Sequence, residues 1–369
     1  MSNLVTKELA NLLDKSIKEH NVGIPYFANT DYHKLPFESD NFVPILPVES
    51  NQKISFVDGG NQEILGAPNF SIQFNRVYFN IFKKNNRILP KSMPSKIEFF
   101  SITTSEFRNN EIYYNTKILP LREEFKSFVP RDKHLSFSSM DRTVTLGTQR
   151  ADIEKVAIIS RRFAEWEFSK HIIDFELDKG DIIVRDGALK TSLSNEQFYT
   201  KRAFGSAEKK GVVFTGLSKT SALFTNTGLS LLGAVQELAE SSNKKGIWYL
   251  PIAEVVNQMH NAYIIVVKLH ENSKYVFRFE ILGTQVKKMA ESDICEVNWL
   301  LAKNSIDLTF PGYPYGLIDA DRFACVSANE IQKYQVMLLS EVSKLGKWKK
   351  ISKHISSIDA HSILDNLKG

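Results

Sequence analysis

The sequence predicts an α/β protein whose sheet has an antiparallel portion, and three observations carry that prediction. Runs rich in β-branched and aromatic residues come early and close together, at Lys53–Val57, Phe70–Phe82 and Lys96–Thr103. Helical and strand-like segments then alternate along the rest of the chain. The composition, 43% hydrophobic and 24% charged over 369 residues, is enough to bury a sizeable core and is too apolar for a disordered chain.

Taken in order, Leu4, Val5, Leu9, Leu12, Leu13 and Ile17 recur at helical spacing and place an amphipathic helix in residues 1–22. A loop rich in Pro, Asn and Asp follows, from Gly23 to about Pro47. The three strand runs form a meander, with Gly59-Gly60 and Asn85-Asn86 supplying turn chemistry. Residues 105–150 are polar and interrupted by Pro120 and Pro130, and read as an inserted irregular or helical arm. Asp152 is suited to cap a helix running to about Phe175, whose buried stripe is Val156, Ile159, Phe163, Trp166 and His171 or Ile172. Short strands are expected at Asp181–Val184 and Gly211–Gly216, then a helix over Thr227–Ser241. Strands at Ile247–Ile252, Ala262–Leu269 and Tyr275–Ile281 come next, followed by a helix over Asp293–Lys303. A segment punctuated by Pro and Gly, Phe310–Leu317, leads into a helix beginning near Asp319. The main domain is thus expected over residues 23–340, with residues 341–369 as a basic helix or tail. No fixed-period repeat is present, which excludes solenoids and propellers.

Several function classes drop out. Two cysteines, Cys295 and Cys325, cannot make a disulfide framework or a Cys-x-x-Cys zinc site, so a reducing cytoplasmic setting is expected. No apolar run approaches the ~20 residues of a membrane-spanning helix, so no membrane association is expected. A formal charge of +5, from 47 Lys+Arg against 42 Asp+Glu, permits contact with a polyanion without establishing it.

Chemistry-bearing residues stand at strand ends. In Ser55-Phe56-Val57-Asp58-Gly59-Gly60 an apolar run delivers Asp58 into glycines, and Ile182-Ile183-Val184-Arg185-Asp186-Gly187 repeats the pattern. Each Asp-Gly alone also fits a hairpin turn. Two carboxylates at the ends of neighbouring strands would instead suit Mg²⁺ or Mn²⁺, which favour oxygen ligands. A third could come from the preceding helix, where Glu165 and Glu167 lie roughly 200° apart, so that only one faces a given site. Glu165 also follows Arg161 by four residues, the spacing of a surface ion pair. Gly216-Leu217-Ser218-Lys219-Thr220 lacks the glycines of a phosphate-binding P-loop, but Lys219 could neutralise a phosphate or stand solvated in a turn. In Gly312-Tyr313-Pro314-Tyr315-Gly316-Leu317-Ile318-Asp319-Ala320-Asp321, Asp319 could cap a helix and Asp321 fall in its first turn.

In sequence order, SFVDGG, RRFAEWE, IIVRDGAL, FTGLSKTSAL and GYPYGLIDADRFA resemble the NurA nuclease family, over about Asp58 to Arg322. The resemblance implies a ribonuclease H-like mixed sheet with flanking helices, a homodimer around a DNA channel, and DNA cleavage dependent on Mn²⁺ or Mg²⁺. It also implies a partnership with a HerA-like hexameric ATPase in DNA end processing, repair or phage defence. Carried over by position, Asp58 and Asp186 are metal ligands, Glu165 is the helix carboxylate with Glu167 in reserve, and Lys219 is the lysine after the next strand. Asp321 falls where many members have His after Ala, and is expected to complete the metal set as a carboxylate. Lys83-Lys84, Arg161-Arg162, Lys209-Lys210 and Lys287-Lys288 could line the DNA path through the phosphates, or could be ordinary solvated residues.

The leading expectation is therefore a metal-dependent deoxyribonuclease of two-metal type. Two others stay open: a weak or inactive adaptor subunit docked on a ring translocase, and an actin-like or sugar-kinase-like phosphotransferase, whose phosphate loops also follow strands with Asp-Gly.

Overall fold

The computed structural model describes residues 2–16 and 22–355. The chain opens with α1 (Ser2–Ser16), β1 (Pro25–Tyr26), β2 (Tyr32–Lys34) and β3 (Val43–Pro44). Long strands follow: β4 (Lys53–Ala67), β5 (Phe70–Lys83), the short β6 (Asn86–Ile88), β7 (Lys96–Arg108), β8 (Glu111–Pro120) and the short β9 (Ser136–Ser138). Next come α2 (Ile153–Ala157), α3 (Ile159–Glu176), β10 (Ile182–Asp186), α4 (Glu196–Lys210), β11 (Val213–Ser218), β12 (Phe224–Thr225) and α5 (Leu231–Ser241). The remainder is β13 (Trp248–Val256), β14 (Asn261–Lys268), β15 (Phe277–Leu282), α6 (Gly283–Val286), α7 (Glu291–Lys303), α8 (Tyr315–Ala324) and α9 (Ala328–Lys344).

Two compact units divide these elements. One takes Met1–Ser50, Asp186–Lys190 and Thr215–Tyr315; the other takes Asn51–Arg185, Thr191–Phe214 and Gly316–Gly369. The division passes between Arg185 and Asp186, the last two residues of β10.

In the second unit, β4 and β5 pair antiparallel along nearly their full length, from Lys53 opposite Lys83 to Ala67 opposite Phe70. β7 extends the meander on β5, and β8 and β9 follow on β7. On its other side β4 is paired in parallel with β10, Ile182 through Arg185 lying opposite Ile54 through Val57. Three antiparallel strands, then a strand parallel to the first reached through a helix, make the mixed sheet with flanking helices that the sequence implies. The helix is α3. It is buried almost all round, with Phe163, Trp166, Phe168 and Ile172 at 0% exposure, because α4 covers one face and β4 and β5 another. Phe168 meets Phe79 edge-on, and Trp166 meets Phe204 and Phe214. α9 lays Tyr334 on Phe74 and Phe100 across the opposite face of the sheet.

In the first unit, β13, β14 and β15 form an antiparallel meander. β2 and β3 pair with the outer side of β13, while Thr215–Ser218 of β11 pair with β15. β1 and β12 make a separate two-stranded ribbon. Among the described residues, no helix is long and apolar enough to cross a membrane.

Several expectations need correction. Gly59-Gly60 is not a turn: β4 runs straight through it, and the chain reverses at Pro68-Asn69 instead. Residues 105–150 are irregular only after Pro120. β7 and β8 form a long hairpin whose turn residues, Asn109 and Asn110, have φ of 52° and 59°, the left-handed values that asparagine tolerates. The single helix expected from Asp152 breaks at Ile158 into α2 and α3, and Asp152 makes no side-chain cap bond. α8 begins at Tyr315, so Asp319 lies inside it rather than at its cap, and the chain bends at Cys325-Val326 before α9. α4 has no counterpart in the sequence reading. Residues 17–21 of the expected N-terminal helix, Ile17 included, and residues 356–369 of the basic tail lie outside the described residues. Residues 348–355 are helical.

Candidate metal centre

The register of two parallel strands begins the site. Arg185 of β10 lies opposite Val57 of β4, and Asp186 and Asp58 are the next residues along each strand. Asp58 is in mid-strand on β4, 9% exposed, and its Oδ1 accepts the Gly59 N–H at 2.7 Å. Asp186 ends β10, and Gly187, with φ of 97°, turns the chain away at once.

α8 brings the third carboxylate, and its seat is specified residue by residue. A Cβ on Gly316 would overlap the Phe56 ring, so only glycine lets this end of α8 lie on β4. Asn80 on β5 donates to the Gly316 carbonyl at 2.8 Å and to Asp319 Oδ2 at 2.7 Å. Arg87 pairs with the same Asp319 carboxylate. Phe323 stacks on Tyr78 with centroids 5.0 Å apart, and Ala320 and Ala324 pack beneath. At the far end, Arg76 donates to the Cys325 carbonyl at 2.7 Å and pairs with Glu98 and Glu330. Gly60 completes the fit, since a Cβ there would stand 2.4 Å from the Ala324 carbonyl oxygen. With Asp319 turned down onto the strands, Asp321 is exposed above them.

Asp58, Asp186 and Asp321 each offer one oxygen, and these oxygens lie within 4.8 Å of one another. Carboxylates this close repel unless a cation stands among them. Lys219, just beyond β11, reaches Asp186 Oδ2 at 3.0 Å. A hard, all-oxygen donor set of this size suits a divalent cation, so the residues present fit the kind of metal that the resemblance implies.

The two helix glutamates part company, as their 200° separation requires. Glu165, 2% exposed, lies against Gly59: its Oε1 would be 2.6 Å from a Cβ at that position. It pairs with Arg161, and its Oε2 accepts from Arg185 at 2.7 Å, with Arg185 stacked over Trp166 at 4.2 Å. Glu165 thus stands beside the strand of Asp58 but outside the group of three. Glu167 faces α4, paired with Arg202 at 2.6 Å and near His171. Both glycines of the Asp-Gly-Gly motif therefore permit close approach, Gly59 to Glu165 and Gly60 to α8.

The basic pairs divide similarly. Arg161 and Arg162 are engaged by Glu165 and Glu196, and Lys210 donates to the Ile173 and Asp174 carbonyls. Lys83, Lys84, Lys209, Lys287 and Lys288 are exposed. Sequence reasoning missed Arg76 and Asn80, which seat α8, and gave Asp319 a capping role in place of its contact with Asn80 and Arg87. The one available signal was polar residues inside an otherwise apolar strand, at Arg76 and Asn80 of β5.

Among solved structures, the chain is similar to the NurA nuclease from Sulfolobus solfataricus, with a TM-score of 0.52 and 13% sequence identity over 93% of this chain and 94% of that one. A second NurA structure aligns with a TM-score of 0.45 at 8% identity, over 84% of this chain and 93% of that one. Endonuclease V of Ciona intestinalis, in complex with a 24mer DNA containing an inosine followed by a ribo-adenosine, aligns with a TM-score of 0.35 at 8% identity over 89% and 99%. No protein-family model matches the chain, and no curated protein matches it. The fold is that of the Sulfolobus NurA nuclease, the family that the five sequence motifs resemble.

Proposed function

We propose that this protein is a divalent-metal-dependent deoxyribonuclease that hydrolyses phosphodiester bonds. The observation that carries this is the convergence of Asp58, Asp186 and Asp321, far apart in sequence, within 4.8 Å on a NurA-like fold. These three residues would hold Mn²⁺ or Mg²⁺, one ion or a pair. When bound, the metal supplies charge neutralisation at the phosphate and an acidified water to attack phosphorus.

The protein's own groups do the rest. β4 and β10 pair in parallel up to Val57 and Arg185, the residues that precede Asp58 and Asp186. Lys219 sets a positive charge beside Asp186, where it draws the scissile phosphate in and offsets charge that develops on it. Asp321 brings a carboxylate where the family often has imidazole, so the leaving oxygen takes its proton from water. Glu165 supports the site from beside Gly59, and its carboxylate would reach an ion only by leaving Arg161. The exposed lysines contact the DNA backbone without reading sequence.

The same reading includes a homodimer and a HerA-like hexameric ATPase as partner. The face of α1 suits such docking, since Leu4, Val5, Leu9, Leu12 and Leu13 are each more than half exposed. Residues 1–22 then form the docking segment, residues 23–340 the nuclease domain with its insertion at 105–150, and residues 341–369 a basic tail, all in a cytoplasmic enzyme.

Labelled linear DNA incubated with the protein tests the proposal. Cleavage is expected with Mn²⁺ or Mg²⁺, none with EDTA, and a loss of at least about 100-fold in Asp58→Asn and Asp186→Asn. Cleavage by the double variant at the wild-type rate would overturn it.

A further inference from the structure

We infer that Glu280, in β15, is a positioning residue for Asp186: it holds the turn by which the chain leaves β10, and so sets where the Asp186 carboxylate points. The inference rests on the proposed function insofar as Asp186 is taken to be a metal ligand.

Glu280 is at 0% exposure, where a carboxylate is costly unless its oxygens are satisfied. Its Oε2 accepts the Leu189 N–H at 2.8 Å and meets His260 Nε2 at 2.9 Å, while Oε1 pairs with Arg278. His260 is itself buried and fixed from behind by the Tyr32 hydroxyl, 2.8 Å from Nδ1. Burial alone would push the Glu280 carboxyl up. The Arg278 charge, the His260 contact and the Leu189 N–H outweigh burial and bring it down to about 2, so the group is ionised at neutral pH. Arg278 and His260 belong to the strand system around it. Leu189 is the partner that belongs to the turn.

The turn is held at its other end too. The Gly187 N–H donates to the Leu217 carbonyl at 2.7 Å. The Gly187 carbonyl oxygen lies so close to β11 that a Cβ on Gly216 would stand 2.4 Å from it. Gly216 is the register partner of Glu280 across β11 and β15, so the two share one face of the sheet. The bare backbone of Gly216 lets the turn settle onto β11, and the neighbouring carboxylate takes up the N–H two residues further on. An apolar side chain would fill the same space without direction. A buried, ionised acceptor aimed at one backbone donor fixes that donor in place, and Asp186 is three residues upstream of it.

Glu280→Ala and Glu280→Asp in the full chain test this. Hydrogen exchange of the amides at residues 187–189 and Mn²⁺ affinity by calorimetry are read together. The aspartate keeps a carboxylate in the core but draws it back by one methylene from Leu189, and so serves if the alanine variant does not fold. Either folded variant should exchange faster across 187–189 and bind Mn²⁺ about 10- to 100-fold more weakly. Glu280→Gln, which keeps an acceptor for Leu189, should recover part of both losses. Wild-type exchange at 187–189, or wild-type Mn²⁺ affinity, in folded Glu280→Asp would overturn the inference. A wild-type protein that binds no Mn²⁺ contradicts the proposed function instead, and exchange at the turn then decides the positioning on its own.

Discussion

Adding one methyl group at Gly60 should damage both the stability of the protein and its metal site. The added Cβ would stand 2.4 Å from the Ala324 carbonyl oxygen and 3.0 Å from its carbon, whereas ordinary contact begins at 3.4 Å. Both opposing atoms are backbone, so the end of α8 must retreat by about 1 Å. It is poorly placed to do so: Asn80 grips Gly316 and Asp319, and Arg76 grips the Cys325 carbonyl. Overpacking of this kind costs about 1–3 kcal/mol. Asp321 precedes Ala324 by one helical turn, so the retreat carries its carboxylate away from Asp58. A displacement of about 1 Å in a catalytic group can cost about 100-fold in rate. Thermal unfolding by circular dichroism and Mn²⁺-dependent DNA cleavage read the two effects. Gly205→Ala is the control, because nothing lies within 4 Å of its added Cβ; inside α4 it should stabilise by about 1 kcal/mol and leave cleavage alone. A Gly60→Ala protein that melts and cleaves like wild type would refute the argued fit between α8 and β4.

Other perturbations have signs that follow from the same geometry. Lys219→Gln should lower kcat by about 100-fold while reducing the Mn²⁺ needed for half-maximal activity, because a cation competing for Asp186 is gone; an unchanged kcat would place Lys219 outside the chemistry. Glu280 and Glu330 both titrate at about 2 in the folded protein, against an ordinary 4.5. A depressed carboxyl stabilises the fold above its unfolded value, and that contribution drains away as pH falls from 4.5 toward 2. For the buried Glu280 the loss should approach about 3 kcal/mol, visible in denaturant titrations across that window and smaller in Glu280→Gln. A variant curve parallel to wild type would contradict it.

Much of the site was legible because its chemistry is written in short local patterns. An apolar run delivering Asp-Gly appears twice, at the end of β10 and in mid-strand on β4, and the two strands pair in parallel up to the residue before each Asp. What the patterns could not show is why the glycines are there. Gly59-Gly60 reads locally as a turn, whereas its cause is the approach of Glu165 and α8, elements more than 100 and 250 residues away. The Asn109-Asn110 hairpin was hidden by the polar residues around it, although two asparagines with positive φ are its physical signature. α4 was missed because Gly205 and its many charged residues blur the apolar stripe that α3 supplies with a partner. Asp319 and Asp321 show the limit most plainly: two residues apart on one helix, one is bound downward by Asn80 and Arg87 and the other joins the carboxylate group, a choice made by the strands beneath.

Calorimetric titration of Mn²⁺ into the wild-type protein and into Asp58→Asn/Asp186→Asn tests the central convergence most directly. Saturable binding to the wild type that vanishes in a double variant with an unchanged circular dichroism spectrum is the predicted result. Equal binding by both proteins would contradict it and place any metal elsewhere.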